Sequence, residues 1–145
     1  MTVIQLRPAT KADARLLFDW RNDPMTRQNS IDTAEVAWDD HVRWLSACLA
    51  DDDRRLFIAE EGGRPVGTSR LDHNAGRFAL SWTVAPSQRG RGVGKAIVRK
   101  TVADAGVPIL FASIKAENVA SARIAEACGF RRLDCIDGLA LYRFG

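Results

Sequence analysis

The sequence predicts a mixed α/β fold, with elements in the order β-α-α-β-β-β-α-β-α-β-β across its 145 residues. Three observations carry this reading. Short segments such as Val3 to Arg7 alternate apolar and polar residues, the period of a half-buried strand. Elsewhere apolar residues recur at helical spacing, as in Trp38, Val42, Leu45 and Leu49. Glycine-bearing turns separate the apolar runs.

Taken in order, Val3 to Arg7 is the first strand. Thr10 then caps a helix reaching about Trp20, with Asp13 three residues on completing a capping box. Arg21-Asn22-Asp23-Pro24 breaks that helix, and a loop runs to about Thr33. A second helix spans about Ala34 to Ala50 and ends at Asp51-Asp52-Asp53, an acidic run that reads as a solvated turn. Leu56 to Glu61, Pro65 to Asp72 and Arg77 to Val84 are three strands joined by turns at Gly62-Gly63 and His73-Asn74-Ala75-Gly76. Val93 to Ala105 is helical with Gly106 as its C-cap. Ile109 to Ile114 is a buried strand, and Asn118 to Cys128 a helix closed by Gly129. Phe130 to Ile136 and Leu139 to Phe144 form a last hairpin around Asp137-Gly138.

The length fits one domain over residues 1–145, and 46% hydrophobic residues suffice for a core. No apolar run is long enough to span a membrane, and the N-terminus lacks a signal-peptide layout, so a cytoplasmic location is expected. Cys48, Cys128 and Cys135 are three, an odd count, and show no metal spacing; they read as small apolar residues, and no metal is expected. The net charge of +3 is scattered. It suits an anionic small molecule as well as it suits nucleic acid; the expected partner is a small molecule, with no nucleic acid or membrane. A monomer or homodimer is expected.

The most informative segment is Gln88-Arg89-Gly90-Arg91-Gly92-Val93-Gly94-Lys95, between a strand and a helix. Closely spaced glycines let successive backbone N–H groups point one way. The helix that follows adds free N–H groups and its positive dipole end, and Arg89, Arg91 and Lys95 add charge. The result is a site for a pyrophosphate or similar anion; without an anion, Arg89 and Arg91 would repel each other. A P-loop is excluded because Arg89 and Ala96 stand where it needs Gly and Ser or Thr. A dinucleotide fingerprint is excluded because Lys95 stands at its third glycine. A kinase glycine loop joins two strands, whereas this one opens a helix.

At this point the chain resembles the GNAT N-acetyltransferase superfamily. Gln88 to Gly94 matches its acetyl-CoA signature, Gln/Arg-x-x-Gly-x-Gly/Ala, without a gap. Asn118-x-x-Ser121-x-x-Ile124 and Cys128-Gly129-Phe130 match a second signature. The resemblance covers essentially the whole chain. It implies a mainly antiparallel sheet flanked by about four helices, with acetyl-CoA as co-substrate. Backbone N–H groups from Arg89 to Gly94 would hold the CoA pyrophosphate. Trp82-Thr83-Val84 would splay from the neighbouring strand and pair with pantetheine, the Val84 N–H polarising the thioester carbonyl. Asn118 and Ser121 would contact the pantetheine arm.

The usual proton-handling residues of the superfamily are missing. A tyrosine after the Leu-like position of the second signature is Ala125 here, and the strand before the glycine turn carries Ala79 and no acid. His41 and Tyr142 remain as catalytic candidates, with simple orientation of the reactants as the alternative. The segments Trp20-Arg21-Asn22-Asp23-Pro24 and Trp38-Asp39-Asp40-His41-Val42-Arg43-Trp44-Leu45 are similar to N-acetyltransferases of pseudaminic-acid-type biosynthesis. That similarity implies a small-molecule amine acceptor, an amino sugar or its nucleotide-linked form, with Arg21, Asn22, Trp38 and His41 as substrate-binding candidates. Two other readings stand beside it: a protein N-terminal acetyltransferase, and a non-catalytic acyl-CoA sensor.

Overall fold

The computed structural model describes residues 3–145; Met1 and Thr2, part of the expected first-strand approach, lie outside the described residues. Seven strands form one sheet in the order β1-β2-β3-β4-β5-β7-β6. These are β1 (Gln5–Pro8), β2 (Arg54–Glu61), β3 (Arg64–Asn74), β4 (Arg77–Val84), β5 (Leu110–Lys115), β6 (Arg131–Ile136) and β7 (Leu139–Phe144). Every neighbouring pair is antiparallel except β4 and β5, which run parallel. Five α-helices flank it: α1 (Ala14–Arg21), α2 (Pro24–Asn29), α3 (Trp38–Ala50), α4 (Val93–Ala105) and α5 (Val119–Ala127).

The sheet is packed on both faces. Ile58 and Ala59, consecutive on β2 and both fully buried, show why: alternation sends one to each side. Ile58 joins Leu17, Trp20, Leu45 and Cys48 under α1 and α3. Ala59 joins Val66, Val93 and Ile97 under α4. A third cluster joins Leu71, Leu80, Val98 and Leu110 to Ala125, Phe130 and Tyr142.

The Thr10 capping box forms: the Thr10 side chain accepts from the Ala12 N–H, and the Thr10 N–H donates to Asp13 at 2.8 Å. It opens a short 3-10 turn, Lys11–Asp13, before α1. Asp13 also accepts two hydrogen bonds from the Arg7 guanidinium, at 2.8 and 2.9 Å, tying β1 to the helix start. Three hairpin turns use left-handed backbone: Gly62-Gly63 at φ 59° and 79°, Ala75-Gly76 at φ 51° and 77°, and Asp137-Gly138 at φ 51° and 77°. Cys48 is buried and Cys128 and Cys135 half-buried, all three as free thiols.

Two expectations are corrected. The stretch read as a loop from residue 21 to 33 contains α2. Pro24 breaks α1, yet it also sits in the first turn of a new helix whose N-cap is Asp23, accepting from the Thr26 N–H. The second expected helix begins at Trp38, four residues later than Ala34. Residues 30–37 are instead held in irregular backbone by Asn22, whose side-chain amide donates to the Val36 carbonyl and accepts the Val36 N–H, both at 2.8 Å.

Candidate active site

The site begins where β4 leaves β5. The two strands share a single registered pair, Ala79 with Phe111, while β4 stays paired with β3 as far as Val84. Beyond Ala79 one edge of β4 therefore lacks a strand. The Ala85 N–H donates to Val66 on the β3 side at 2.9 Å. Alternation along the chain then turns the Val84 N–H to the other edge, into the opening. Gly67 on β3 allows this close packing, since a Cβ there would lie 2.5 Å from the Thr83 carbonyl oxygen and 2.6 Å from Ile97 Cδ1.

The glycine turn follows. Gly90 and Gly92 are left-handed, at φ 79° and 78°, and Gly92 is the N-cap of α4. Gly94 serves another purpose. A Cβ there would meet Ile124 Cδ1 of α5 at 2.6 Å and Val84 Cγ2 at 3.1 Å, so its absence lets α4, α5 and the β4 end converge.

A cavity of about 420 Å³ lies between these parts. Trp82, Thr83 and Val84 line one side, Arg89, Gly90, Val93 and Gly94 its floor, and Asn118, Ser121 and Ile124 of α5 another wall. Asn118 caps α5 by accepting from the Ser121 N–H at 3.2 Å, and its Nδ2 has no protein partner among the described residues. Arg91, Gly92 and Lys95 do not line this cavity. The fourth wall is α2, through Met25, Thr26, Asn29 and Ser30. Sequence reasoning missed that wall, although Asp23-Pro24 is a helix-start signal.

The two arginines of the turn do not face each other unpaired. The Arg89 guanidinium is bonded to Asp23 and to Thr26 Oγ1, the latter at 3.2 Å. This contact holds the Asp23 carboxyl below the usual carboxylate range, burial opposing it. Arg91 reaches Glu61 at 3.1 Å and Gln88. Contrary to expectation, Arg89 and Arg91 therefore need no bound anion to offset their repulsion. Gly90 and Gly92 do adopt the left-handed backbone expected of the turn.

A second cavity, of about 410 Å³, opens on the α1 and α3 face of the sheet. Trp82 and Thr83 line both cavities, so the two meet at the β4 end. Arg21, Asp40, His41 and Trp44 line it from the helices, and Thr68, Arg70, Ser81 and Thr83 from the sheet. His41 is buried, with Nε2 lacking a hydrogen-bond partner among the described residues. Burial lowers its pKa, the Ala14 backbone opposes this and Arg21 adds to it, so the imidazole is neutral at pH 7.

Three candidates are placed elsewhere. Asn22 spends its amide on Val36 and lines neither cavity. Trp38 packs edge-on against Phe18, centroids 5.1 Å apart, outside both cavities. Tyr142 is buried in the core beside Phe130 and Leu80, so its ring packs the sheet. Trp44, Arg70, Thr68 and Ser81 were missed as site residues, whereas Thr83 was expected only on the CoA side; nothing in sequence spacing shows which cross-strand pairs will share a face. No group of three or more His, Cys, Asp or Glu is placed to hold a metal among the described residues. No helix among them is long and apolar enough to cross a membrane.

The family model described as the Acetyltransferase (GNAT) domain matches residues 4–131. The chain belongs to the GNAT acetyltransferase family. An acetyltransferase from Thermus thermophilus has the same fold, with a TM-score of 0.82, 27% identity and coverage of 99% of this chain and 98% of that one. So does spermidine N-acetyltransferase from Vibrio cholerae, solved with CoA and spermine: TM-score 0.86, 16% identity, 97% of this chain and 94% of that one. An aminoglycoside acetyltransferase solved with coenzyme A and kanamycin superposes at TM-score 0.80 with 23% identity, over 97% of this chain and 93% of that one. Among curated proteins, the chain is 32% identical over 102 residues to an exo-1,4-beta-xylosidase of Emericella nidulans. That match takes in 70% of this GNAT chain and only 13% of the curated relative's length.

Proposed function

We propose that this GNAT domain transfers an acetyl group from acetyl-CoA to the primary amine of a small molecule, an amino sugar being the acceptor class favoured. One observation carries the reading: the two cavities meet at Trp82 and Thr83, where β4 has parted from β5. A thioester lying along the β4 edge would present its carbonyl there, within reach of an amine from the other side.

The CoA side is supported by the left-handed glycines, the α4 N-terminus and the free Nδ2 of Asn118. Pyrophosphate would rest on backbone N–H groups of residues 89–94. The Arg89 side chain, already paired with Asp23, shapes the turn instead of supplying an unpaired charge. The pantetheine arm would run between α5 and α2, and the Val84 N–H would meet the carbonyl oxygen as it gains negative charge.

The acceptor nitrogen attacks the carbonyl carbon, the carbon–sulfur bond breaks and the CoA thiolate leaves. The nitrogen sheds one proton. His41 is the group we assign to receive it, because it lines the acceptor cavity and is uncharged at pH 7. The other histidine, His73, is stacked on Phe78 at the far end of β3, centroids 4.4 Å apart. Held geometry supplies the rest of the barrier lowering.

The test is release of CoA thiol from acetyl-CoA with sugar, peptide and small-amine acceptors in parallel. Turnover with amino sugars supports the reading. Turnover confined to peptide N-termini would replace the acceptor, and tight acetyl-CoA binding without turnover on any amine would reduce the domain to a sensor.

A further inference from the structure

The acceptor cavity carries an excess of positive charge that a plain amine does not use. Three charged side chains line it: Arg21, Arg70 and Asp40. Asp40 is mostly exposed and already bonded to Arg43 on its own helix. Arg21 makes no ion pair among the described residues. It donates through Nη2 to the Asp32 carbonyl at 2.8 Å, and its Nη1 is buried with no partner. A buried guanidinium N–H left unpaired is a standing cost, and an anionic oxygen is the partner that best removes it.

Arg70 is aimed by its surroundings. Its Nε donates to both oxygens of Asp72, at 3.0 and 3.1 Å, and its guanidinium lies over the Trp44 ring, 5.7 Å from the centroid. Asp72 does not line the cavity. Both terminal nitrogens of Arg70 lack a protein partner among the described residues, which leaves its fork open for a second anion contact.

We propose that the acceptor amine also carries an anionic group, a phosphate or carboxylate, gripped by Arg21 and Arg70. The proposal rests on the acetyltransferase reading and narrows its substrate class. Polycationic amines are disfavoured: they would meet two guanidiniums and one carboxylate that has its own partner.

The test separates this proposal from that reading. Protein saturated with CoA, so that the pyrophosphate site is filled, is titrated calorimetrically with UDP, glucose 6-phosphate and gluconate, and with spermidine. The wild type should bind at least one of the three anions and not spermidine. Arg21→Gln and Arg70→Gln should each weaken that anion at least tenfold, while their CoA affinity and melting temperature stay near wild type. Phosphate and carboxylate sources are told apart by which probe binds. In the thiol-release assay, glucosamine 6-phosphate should exceed glucosamine in kcat/KM, and the gap should close in Arg70→Gln. Anion affinity unchanged in both variants, no anion binding, or higher kcat/KM for spermidine than for every anionic amine would overturn the proposal. Anion binding lost in the variants without thiol release from any amine would keep the anion site and sink the acetyltransferase reading instead.

Discussion

Arg89 and Asp23 are bonded across 66 residues of sequence, joining the glycine turn to the N-cap of α2. Asp23 thus satisfies the start of a six-residue helix and fixes the guanidinium beside the proposed pyrophosphate turn at the same time. So short a helix is not stable alone, and its position depends on such ties. Asp23→Ala should remove cap and pair together, at a cost of about 1–2 kcal/mol, lowering the melting temperature by a few degrees. It should also weaken CoA binding, because the α2 wall loosens. Calorimetric melting and a CoA titration check both; CoA affinity unchanged despite a lower melting temperature would show that α2 plays no part in binding.

Gly92 and Gly94 should fail for different reasons when replaced by Val. Gly92 has open space around it, but its φ of 78° strains any β-branched side chain. Gly94 has ordinary helical backbone, and a Cβ would strike Ile124 and Val84. Both changes should cost at least tenfold in CoA affinity, about 1.4 kcal/mol. Only the Gly94 loss should be partly recovered by trimming Ile124 to Ala. A double variant no better than Gly94→Val alone would show that the crowding lies elsewhere.

His41 makes a pH prediction of definite sign. Burial lowers its pKa below 6.5, so the charged form is disfavoured in the folded chain. Corrected for the fraction of acceptor amine that is uncharged, the pH profile of kcat/KM should fall only below that lowered value. His41→Gln should reduce kcat and abolish that acid limb. The unfolded chain takes up the proton first, so His41 also makes stability fall as pH drops below about 6.5. An acid limb that persists in His41→Gln would assign the titration to another group.

Asp13 adds a lower window. Its hydrogen bonds from Arg7 are the main cause holding its carboxyl below the ordinary value of 3.8, with burial opposing. A depressed folded pKa contributes stability that is complete above the unfolded value and is lost as pH falls through the folded one. Asp13→Asn should therefore destabilise by about 1–3 kcal/mol near neutral pH, and the difference should shrink below about pH 3.8. Melts at pH 7 and pH 3 measure it; an equal deficit at both would mean that the charge on Asp13 is not what matters.

What the sequence disclosed followed from local chemistry. The glycine turn, the Thr10 box and the Gly62-Gly63 and Asp137-Gly138 hairpins each depend on a few adjacent residues, and each formed. The parting of β4 from β5 accompanies the single pair Ala79–Phe111, and motif resemblance, not periodicity, suggested it. Contacts between distant segments were out of reach. Arg70 over Trp44, Arg89 on Asp23 and Asn22 on Val36 depend on tertiary placement, whereas α2 was signalled locally by Asp23-Pro24, read only as a break.

Asn22 supplies the clearest separation of structural from substrate roles. Its amide donates to and accepts from Val36, both at 2.8 Å, and it lines neither cavity. The pair mimics a strand contact and anchors residues 30–37 ahead of α3. Asn22→Ala should leave the Val36 N–H and carbonyl unpaired and cost about 1–3 kcal/mol. Asn22→Asp keeps the acceptor and loses the donor, so it should fall between. Since Val36 also lines the acceptor cavity, a modest rise in KM is expected with little change in kcat. The two effects should track each other across Ala, Asp and Ser variants, as they would if one loop displacement causes both. A large rise in KM in a variant with wild-type stability would instead return Asn22 to the substrate.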